Sequence, residues 1–199
     1  MNFTTDIVLE NSHVLLRKFH PSDAPQLHEI IFDEDTWRLM PTKVSTQQEF
    51  EAWQKTAELG YKTGTRYTLI IVNKASGKIA GSTSYGNVSD NDKRLEIGWT
   101  WLGKDYKGTG LNRHCKFLLL QYAFEKLKYE RVELKTDVLN MRSRKAMLKI
   151  GATEEGVLRS HTLMHDGRRR DTIYYSILRP EWKNIKYTFF KDLLAQQIK

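Results

Sequence analysis

Hydrophobic positions along the chain fall into two rhythms. Short runs rich in β-branched and aromatic residues are flanked by turn signals and predict strands. These are "HVLLRKF" (His13 to Phe19), "RYTLIIVNK", "IAGSTSYG", "RLEIGWTWL", "RVELKTDV" and the two arms of "EEGVLRSHTLM-HDG-RRRDTIYYSIL". Between them, apolar residues recur every three or four positions and predict helices. Ser22 or Asp23 can cap a helix that carries Leu27, Ile30 and Ile31, and Ser45 or Thr46 can cap one with Phe50, Trp53 and Ala57 on one face and Glu49 near the capping-box position. The longest stripe is Leu111, Cys115, Leu118, Leu119, Tyr122 and Ala123. "NMRSRKAMLKIG" reads as a short helix ended by Gly151, and a last helix is expected over about 181–199. "ASGK" joins two strands as a hairpin, and so does His165-Asp166-Gly167. The order predicts an α/β (α+β) fold, with antiparallel strands first and a β–α–β crossover in the middle. No repeat or linker interrupts it, so residues 1–199 are expected to form one domain.

Composition narrows the class. At 40% hydrophobic and 28% charged residues, the 199-residue chain is expected to be globular. The longest apolar runs, "LIIV" and "FLLL", are far short of the ~20 residues of a membrane span. "MNFTTDIVLENSH" lacks the basic and apolar regions of a signal peptide, so a cytoplasmic protein without a membrane partner is expected. The single cysteine, Cys115, rules out an internal disulfide and a cysteine-based zinc site. It lies on the apolar stripe and reads as core. The histidines show no metal-ligand spacing, and His114 has no obvious partner. The net charge of +8 fits a nucleic acid, an anionic cofactor or solubility alone. Its densest cluster, Arg168, Arg169 and Arg170, follows a turn and reads as a solvated hairpin tip. A nucleic-acid binder would interleave aromatics with a basic strand face, and "RRRDTIYYSIL" is the only candidate, so no specific nucleic-acid partner is expected.

The chemistry centres on "KGTGLN", a glycine loop that opens directly into the longest helix. Backbone N–H groups at such a helix start form an anion site. Gly103 and Gly108 have Walker A spacing, but Thr109 stands where the lysine must be. Gly108 and Gly110 begin a dinucleotide fingerprint, but Arg113 replaces its third glycine.

A strand, then [QR]-x-x-G-x-[GA], then a helix resembles the CoA-pyrophosphate loop of the GNAT superfamily of acyl-CoA-dependent N-acetyltransferases. The frame here is Asp105 to Gly110, with Asp105 in place of Gln or Arg. Further on, Asn140, Ser143, Lys149, Gly151 and Ala152 match N-x-x-[AS]-x-x-x-x-x-K-x-G-[FA]. "DTWRLMP" and "DGRRRDTIYYSILRPEW" are similar to the RimJ/RimL-like branch, which acetylates protein N-termini. The resemblance runs from about Val14 to Trp182. It implies the GNAT fold, acetyl-CoA as co-substrate, no metal, an amine acceptor and a monomer or homodimer. By the same resemblance, Lys107, Gly108, Thr109, Gly110, Leu111, Asn112 and Arg113 surround the CoA phosphates.

Each implied role stands beside a plainer one. Asn140 caps a helix and bonds the pantetheine arm. Ser143 is a harmless surface serine, or it donates a hydrogen bond to the departing sulfur; the tyrosine many members place four residues further on is here Met147. In "RLEIGWTWL", alternation puts Leu95, Ile97, Trp99 and Trp101 on one face and Glu96, Gly98 and Thr100 on the other. Glu96 is either the general base for the incoming amine or the ion-pair partner of an arginine such as Arg94 or Arg131. The backbones of Trp101 and Leu102 are implied to hold the acetyl carbonyl and the pantetheine amides. Arg113 and Lys116 either meet the 3′-phosphate or lie on a solvated face. Trp37 and Met40, with the helix around Phe50 and Trp53, either form a wall of the acceptor cleft or simply pack. The acceptor is expected to be a protein or peptide N-terminal amine, with a small-molecule amine as the alternative. A CoA-binding sensor without catalysis is the remaining rival.

Overall fold

A computed structural model of the chain describes residues 1–195. Its strands are β1 (Val8–Glu10), β2 (Val14–Lys18), β3 (Arg66–Asn73), β4 (Lys78–Ser89), β5 (Arg94–Leu102), β6 (Arg131–Asp137), β7 (Thr153–Leu163) and β8 (Arg169–Leu178). Its helices are α1 (Ala24–Ile31), α2 (Glu34–Trp37), α3 (Gln47–Thr63), α4 (Leu111–Gln121), α5 (Met141–Leu148), α6 (Arg179–Phe189) and α7 (Lys191–Ala195). All eight strands join one sheet in the order β1-β2-β3-β4-β5-β6-β8-β7. Every pairing is antiparallel except β5 with β6, which α4 connects. The expected strands and the central crossover are therefore present.

Local chemistry explains most boundaries. Thr46 caps α3 by accepting from Glu49 N, while the Glu49 carboxylate accepts from Thr46 N and from Ser45, so both orphan ends are satisfied. Phe50, Trp53 and Ala57 are buried on one face as expected. The α4 helix passes into a π turn over Tyr122–Lys126. The last helix is not continuous: it breaks at Phe190, whose side chain is fully buried against Phe117 and Trp182, and the chain restarts as α7. Residues 196–199 of that expected helix lie outside the described residues.

Two apolar layers cover the sheet. On one face α4 and α6 pack against Leu69, Ile71, Leu95, Ile97, Val132, Leu134 and Ile173. On the other face α1, α2 and α3 enclose Phe19, Ile70, Ile79 and Trp101. Glu96, Lys135 and Thr172 alternate with residues of the first layer and so point to the second face.

The β5 strand departs from simple alternation. Ser82 pairs with Trp101 and Ser84 with Gly98, so Trp99 and Thr100 together oppose Thr83 alone. This is a β-bulge, with Trp99 at φ +51°. The extra residue flips everything after it. Leu102 joins the cluster of Leu95 and Ile97, whereas Trp101 joins the opposite cluster with Trp37 and Trp53. The Trp99 ring lies against Gly86, the partner of Glu96, and so shares the Glu96 face, while Thr100 bonds Thr83 and the α4 residue Lys116 on the other face. The expectation that Leu95, Ile97, Trp99 and Trp101 share one face fails at the bulge.

Candidate active site

The glycine loop has the conformation that its sequence required. Gly108 and Gly110 have φ of +78° and +87°, and a Cβ on either would meet no atom within 4 Å. The concavity beside them is open. Arg113 N and His114 N both bond Gly110 O, so the helix's own bonding begins at Arg113 and the amides before it stand at the open end of α4. Leu111 is buried in the core. Thr109 folds back to give its hydroxyl proton to Tyr106 O. Lys107 ties the loop to the α1–α2 corner through a 2.5 Å bond to Asp33, and this ammonium holds the Asp33 carboxyl below its usual range. Asp105 is exposed.

A slot opens from this loop into the sheet. The parallel pairing of β5 and β6 covers only Arg94 to Glu96 against Arg131 to Glu133. Beyond Glu96, β5 continues to Leu102 paired to β4, and β6 continues to Asp137 paired to β8. The facing edges diverge, leaving two rows of backbone groups that a ligand with amides along its length can satisfy. Trp101 and Leu102 lie on one wall; Asn140 lies just past the other. Asn140 Oδ1 accepts from Ser143 N at 3.0 Å, which caps α5 as expected. The Ser143 hydroxyl makes no hydrogen bond to a described residue and is half-buried. Met147 packs into the core instead of facing the slot.

Glu96 is 3% exposed at the inner end of that slot. One carboxylate oxygen accepts from Asn87 Nδ2 at 2.7 Å and pairs with Lys135 Nζ at 2.8 Å. Neither arginine considered from the sequence is its partner. Arg94 pairs with Asp92 and Glu133, and Arg131 with Glu133 and Glu155. The other oxygen, Oε1, leans over Gly98. A buried carboxylate with one oxygen bonded to Asn87 and Lys135 is held in orientation, and its other oxygen, over the glycine, accepts no hydrogen bond from a described residue.

The Glu96 face is bordered by aromatic and cationic side chains. Trp37 is 2% exposed and gives its indole proton to Ile31 O, so it is a packing residue, with its ring 5.6 Å from that of Trp101; Met40 beside it is half-buried. Trp53 packs edge-on against Trp101 at 6.0 Å. Arg66 stacks over Trp99, with its Nε buried and unpartnered and its pKa lowered by burial. Sequence reasoning missed Arg66 because nothing local distinguishes it from any strand-start arginine.

Three further expectations are corrected. Arg113 does not stand free at the loop: its guanidinium bonds Asp192 at 2.6 Å and Phe189 O, and lies over the Phe190 ring. Its neighbour Lys116 is buried, neither solvated nor at the loop mouth. The arginine cluster is not a solvated tip. Arg168 pairs with the fully buried Asp137, and Arg170 is 5% exposed with Nε bonded to Thr172. The hairpin they belong to reaches across the site, since His165 Nε2 lies 3.3 Å from Trp37 O. His114 also has partners: it stacks on His13 at 4.2 Å and contacts Asn11, and burial pushes its pKa down to about 4. Cys115 is fully buried, and burial pushes its thiol up to about 12, so it is no nucleophile.

No group of three metal-ligating side chains occurs among the described residues, and no helix among them is long and apolar enough to cross a membrane. The residues fit an elongated, amide-bearing anionic ligand. The open glycines suit its phosphates, the slot its arm, and two buried polar atoms without partners, Asn112 Oδ1 and Trp101 Nε1, lie on the elements that border the slot.

Comparison with known proteins identifies the family. The profile of the acetyltransferase (GNAT) domain matches residues 13–153. A Bacillus subtilis (strain 168) protein, "Putative ribosomal N-acetyltransferase YdaF", is 31% identical over 187 residues, spanning 88% of this chain and 97% of its own. A crystal structure of a GCN5-related N-acetyltransferase from Brucella melitensis is 27% identical, with a TM-score of 0.85 over 97% of this chain and 91% of that one. The apo structure of RimL, described as a ribosomal L7/L12 alpha-N-protein acetyltransferase, is 19% identical and shares the fold, with a TM-score of 0.77 over 87% of this chain and 95% of that one.

Proposed function

The chain belongs to the GNAT acetyltransferases and is an acyl-CoA-dependent N-acetyltransferase, and from that premise we propose that it moves the acetyl group of acetyl-CoA directly onto a protein or peptide N-terminal amine. The observation that carries the reading is the slot between β5 and β6, which runs from the α4 glycine loop to the buried carboxylate of Glu96. In this reading Gly108, Gly110 and the amides at the start of α4 hold the pyrophosphate. The strand edges at Trp101 and Leu102, with Asn140, hold the pantetheine arm. Glu96 removes a proton from the acceptor ammonium, and binding supplies most of the rest by bringing two reactants together in a fixed geometry.

A polypeptide acceptor is supported by the position of Glu96. It points to the face of the sheet that α1, α2 and α3 cover as far as Trp101 of β5, and the β7–β8 hairpin bounds the surface beyond. The YdaF relative is named for a ribosomal target, and the same class of acceptor is proposed here.

The test has two stages. Acetyl-CoA or CoA at ~100 times its dissociation constant should stabilise the protein by about 2.7 kcal/mol; no shift in melting temperature at millimolar CoA removes the proposal. Glu96→Gln should then lower kcat by ~10²-fold or more while leaving CoA affinity nearly unchanged. An α-amine has a pKa of about 8, so activity of the variant should recover partly as pH rises and the amine deprotonates by itself. Turnover of small amines but of no peptide would replace the proposed acceptor class.

A further inference from the structure

Lys116 is 8% exposed, and its ammonium has one hydrogen-bond partner among the described residues, Thr100 Oγ1 at 2.9 Å. An ammonium carries three protons, so two lack an acceptor in a place where water is scarce. Thr100 is one of the two bulged residues of β5, two positions past Gly98 on the slot wall, and its hydroxyl also bonds Thr83 at 2.8 Å. One helical turn before Lys116, on the same face of α4, the Asn112 Oδ1 atom is also buried and unpartnered. Asn112 and Lys116 thus lie on one face of α4, between the glycine loop and the bulge. A buried amide oxygen without a partner, followed by a buried ammonium with two protons unbonded, marks the course of a ligand: first a hydrogen-bond donor, then a group that bears negative charge.

Resting on the acetyl-transfer reading above, we propose that Lys116 is a catalytic residue that gives a proton to the CoA sulfur as it departs. The amine nitrogen bonds to the acetyl carbon, and the carbon–sulfur bond breaks with its electron pair on sulfur. A proton passes from Lys116 Nζ to that sulfur, leaving CoA as a thiol. The acceptor ammonium loses two protons, one to Glu96 and one to water; Glu96 then passes its proton to solvent and solvent reprotonates Lys116, so one proton is released per turnover. The role is open in this chain because Met147, which occupies the position of the usual tyrosine, is packed in the core and has no proton to give.

The electrostatics suit a proton donor. Burial lowers the Lys116 pKa to about 8, while the Glu96 carboxylate on β5 pulls it back up. The group is therefore charged at neutral pH yet far more acidic than an ordinary lysine, close to the range where proton transfer to a thiolate is efficient.

The experiment compares Lys116→Met and Lys116→Arg, using acetyl-CoA and its selenoester analogue as donors and a lysine-free peptide with a free N-terminus as acceptor. A selenolate leaves without needing a proton. Lys116→Met should lose ~10²-fold or more in kcat with acetyl-CoA, keep its affinity for the donor within a few-fold, and lose much less with the selenoester. Lys116→Arg keeps the positive charge but cannot release its proton, so it should show the same large loss with acetyl-CoA and the same smaller loss with the selenoester. Equal losses of Lys116→Met with both donors, or a weakened donor affinity at unchanged kcat, overturn the proposal while leaving acetyl transfer intact. A wild type that turns over neither donor overturns the parent reading and this one together.

Discussion

Oε1 of Glu96 lies 2.7 Å from the point that a Cβ on Gly98 would occupy. The two residues are successive members of one strand face, and the missing side chain is what gives the carboxylate its place. Gly98→Ala is therefore expected to push Glu96 off its bonds to Asn87 and Lys135. If Glu96 is the base, kcat should fall at least ~10-fold, a part of the full ~10²–10⁴ of base catalysis, with donor affinity kept. Steady-state kinetics and CoA calorimetry check this, and an unchanged kcat would show that the carboxylate acts elsewhere or not at all.

Gly108→Val and Gly110→Val address the other end of the slot. Both positions have φ near +80°, and the space beside each is open. A side chain there costs roughly 1–3 kcal/mol of backbone strain and fills the concavity proposed for phosphates. Each variant should melt cooperatively a few degrees lower and show no heat of CoA binding. Affinity retained in either would place the pyrophosphate elsewhere.

Asp137 is fully buried, and its ion-pair partner is Arg168. Among the described residues, removing the guanidinium leaves the buried carboxylate with only the Leu139 amide bonded to it. Arg168→Ala is expected to cost about 1–3 kcal/mol. In a chain of this size that lowers Tm by roughly 2–12 °C. Adding Asp137→Asn should recover part of the loss, since the uncompensated charge is gone. If thermal unfolding of Arg168→Ala matches the wild type, the pair contributes nothing.

His114 gives a pH dependence with a definite sign. Burial, and the nearby His13 and Arg113, lower its pKa to about 4 from an ordinary 6.5. Between those values the unfolded chain binds the proton and the folded chain does not, so stability falls as pH drops from about 6.5 towards 4. Proton NMR should show the His114 ring titrating near pH 4, and His114→Phe should flatten the stability profile across that window. A ring that titrates near 6.5 would mean that the stack on His13 is open to water.

Local sequence rules determined a good deal. The Thr46–Glu49 capping box, the glycine loop ahead of α4, the Asn140 cap and the crossover from β5 to β6 were legible because each depends on residues within a few positions of one another, or on a periodicity that a single element carries. The candidate site was legible as far as it is built from such pieces. What escaped were the relationships between elements. One inserted residue at Trp99 reverses every later side chain of β5, and nothing in an apolar run announces where a bulge falls. Whether Lys116, at the flank of a helical stripe, meets solvent or sheet depends on the width of the layer above it. The partner of Glu96 is Lys135 because β6 happens to bring that residue alongside, while the arginines closer at hand are claimed by Glu133 and Glu155. Arg170 is buried because the hairpin folds over the site instead of standing away from it. The sequence determined which elements form and where the glycine loop ahead of α4 lies; only the tertiary structure decided which charges are buried and against what, because desolvation and ion pairing depend on neighbours that the chain brings together from far apart.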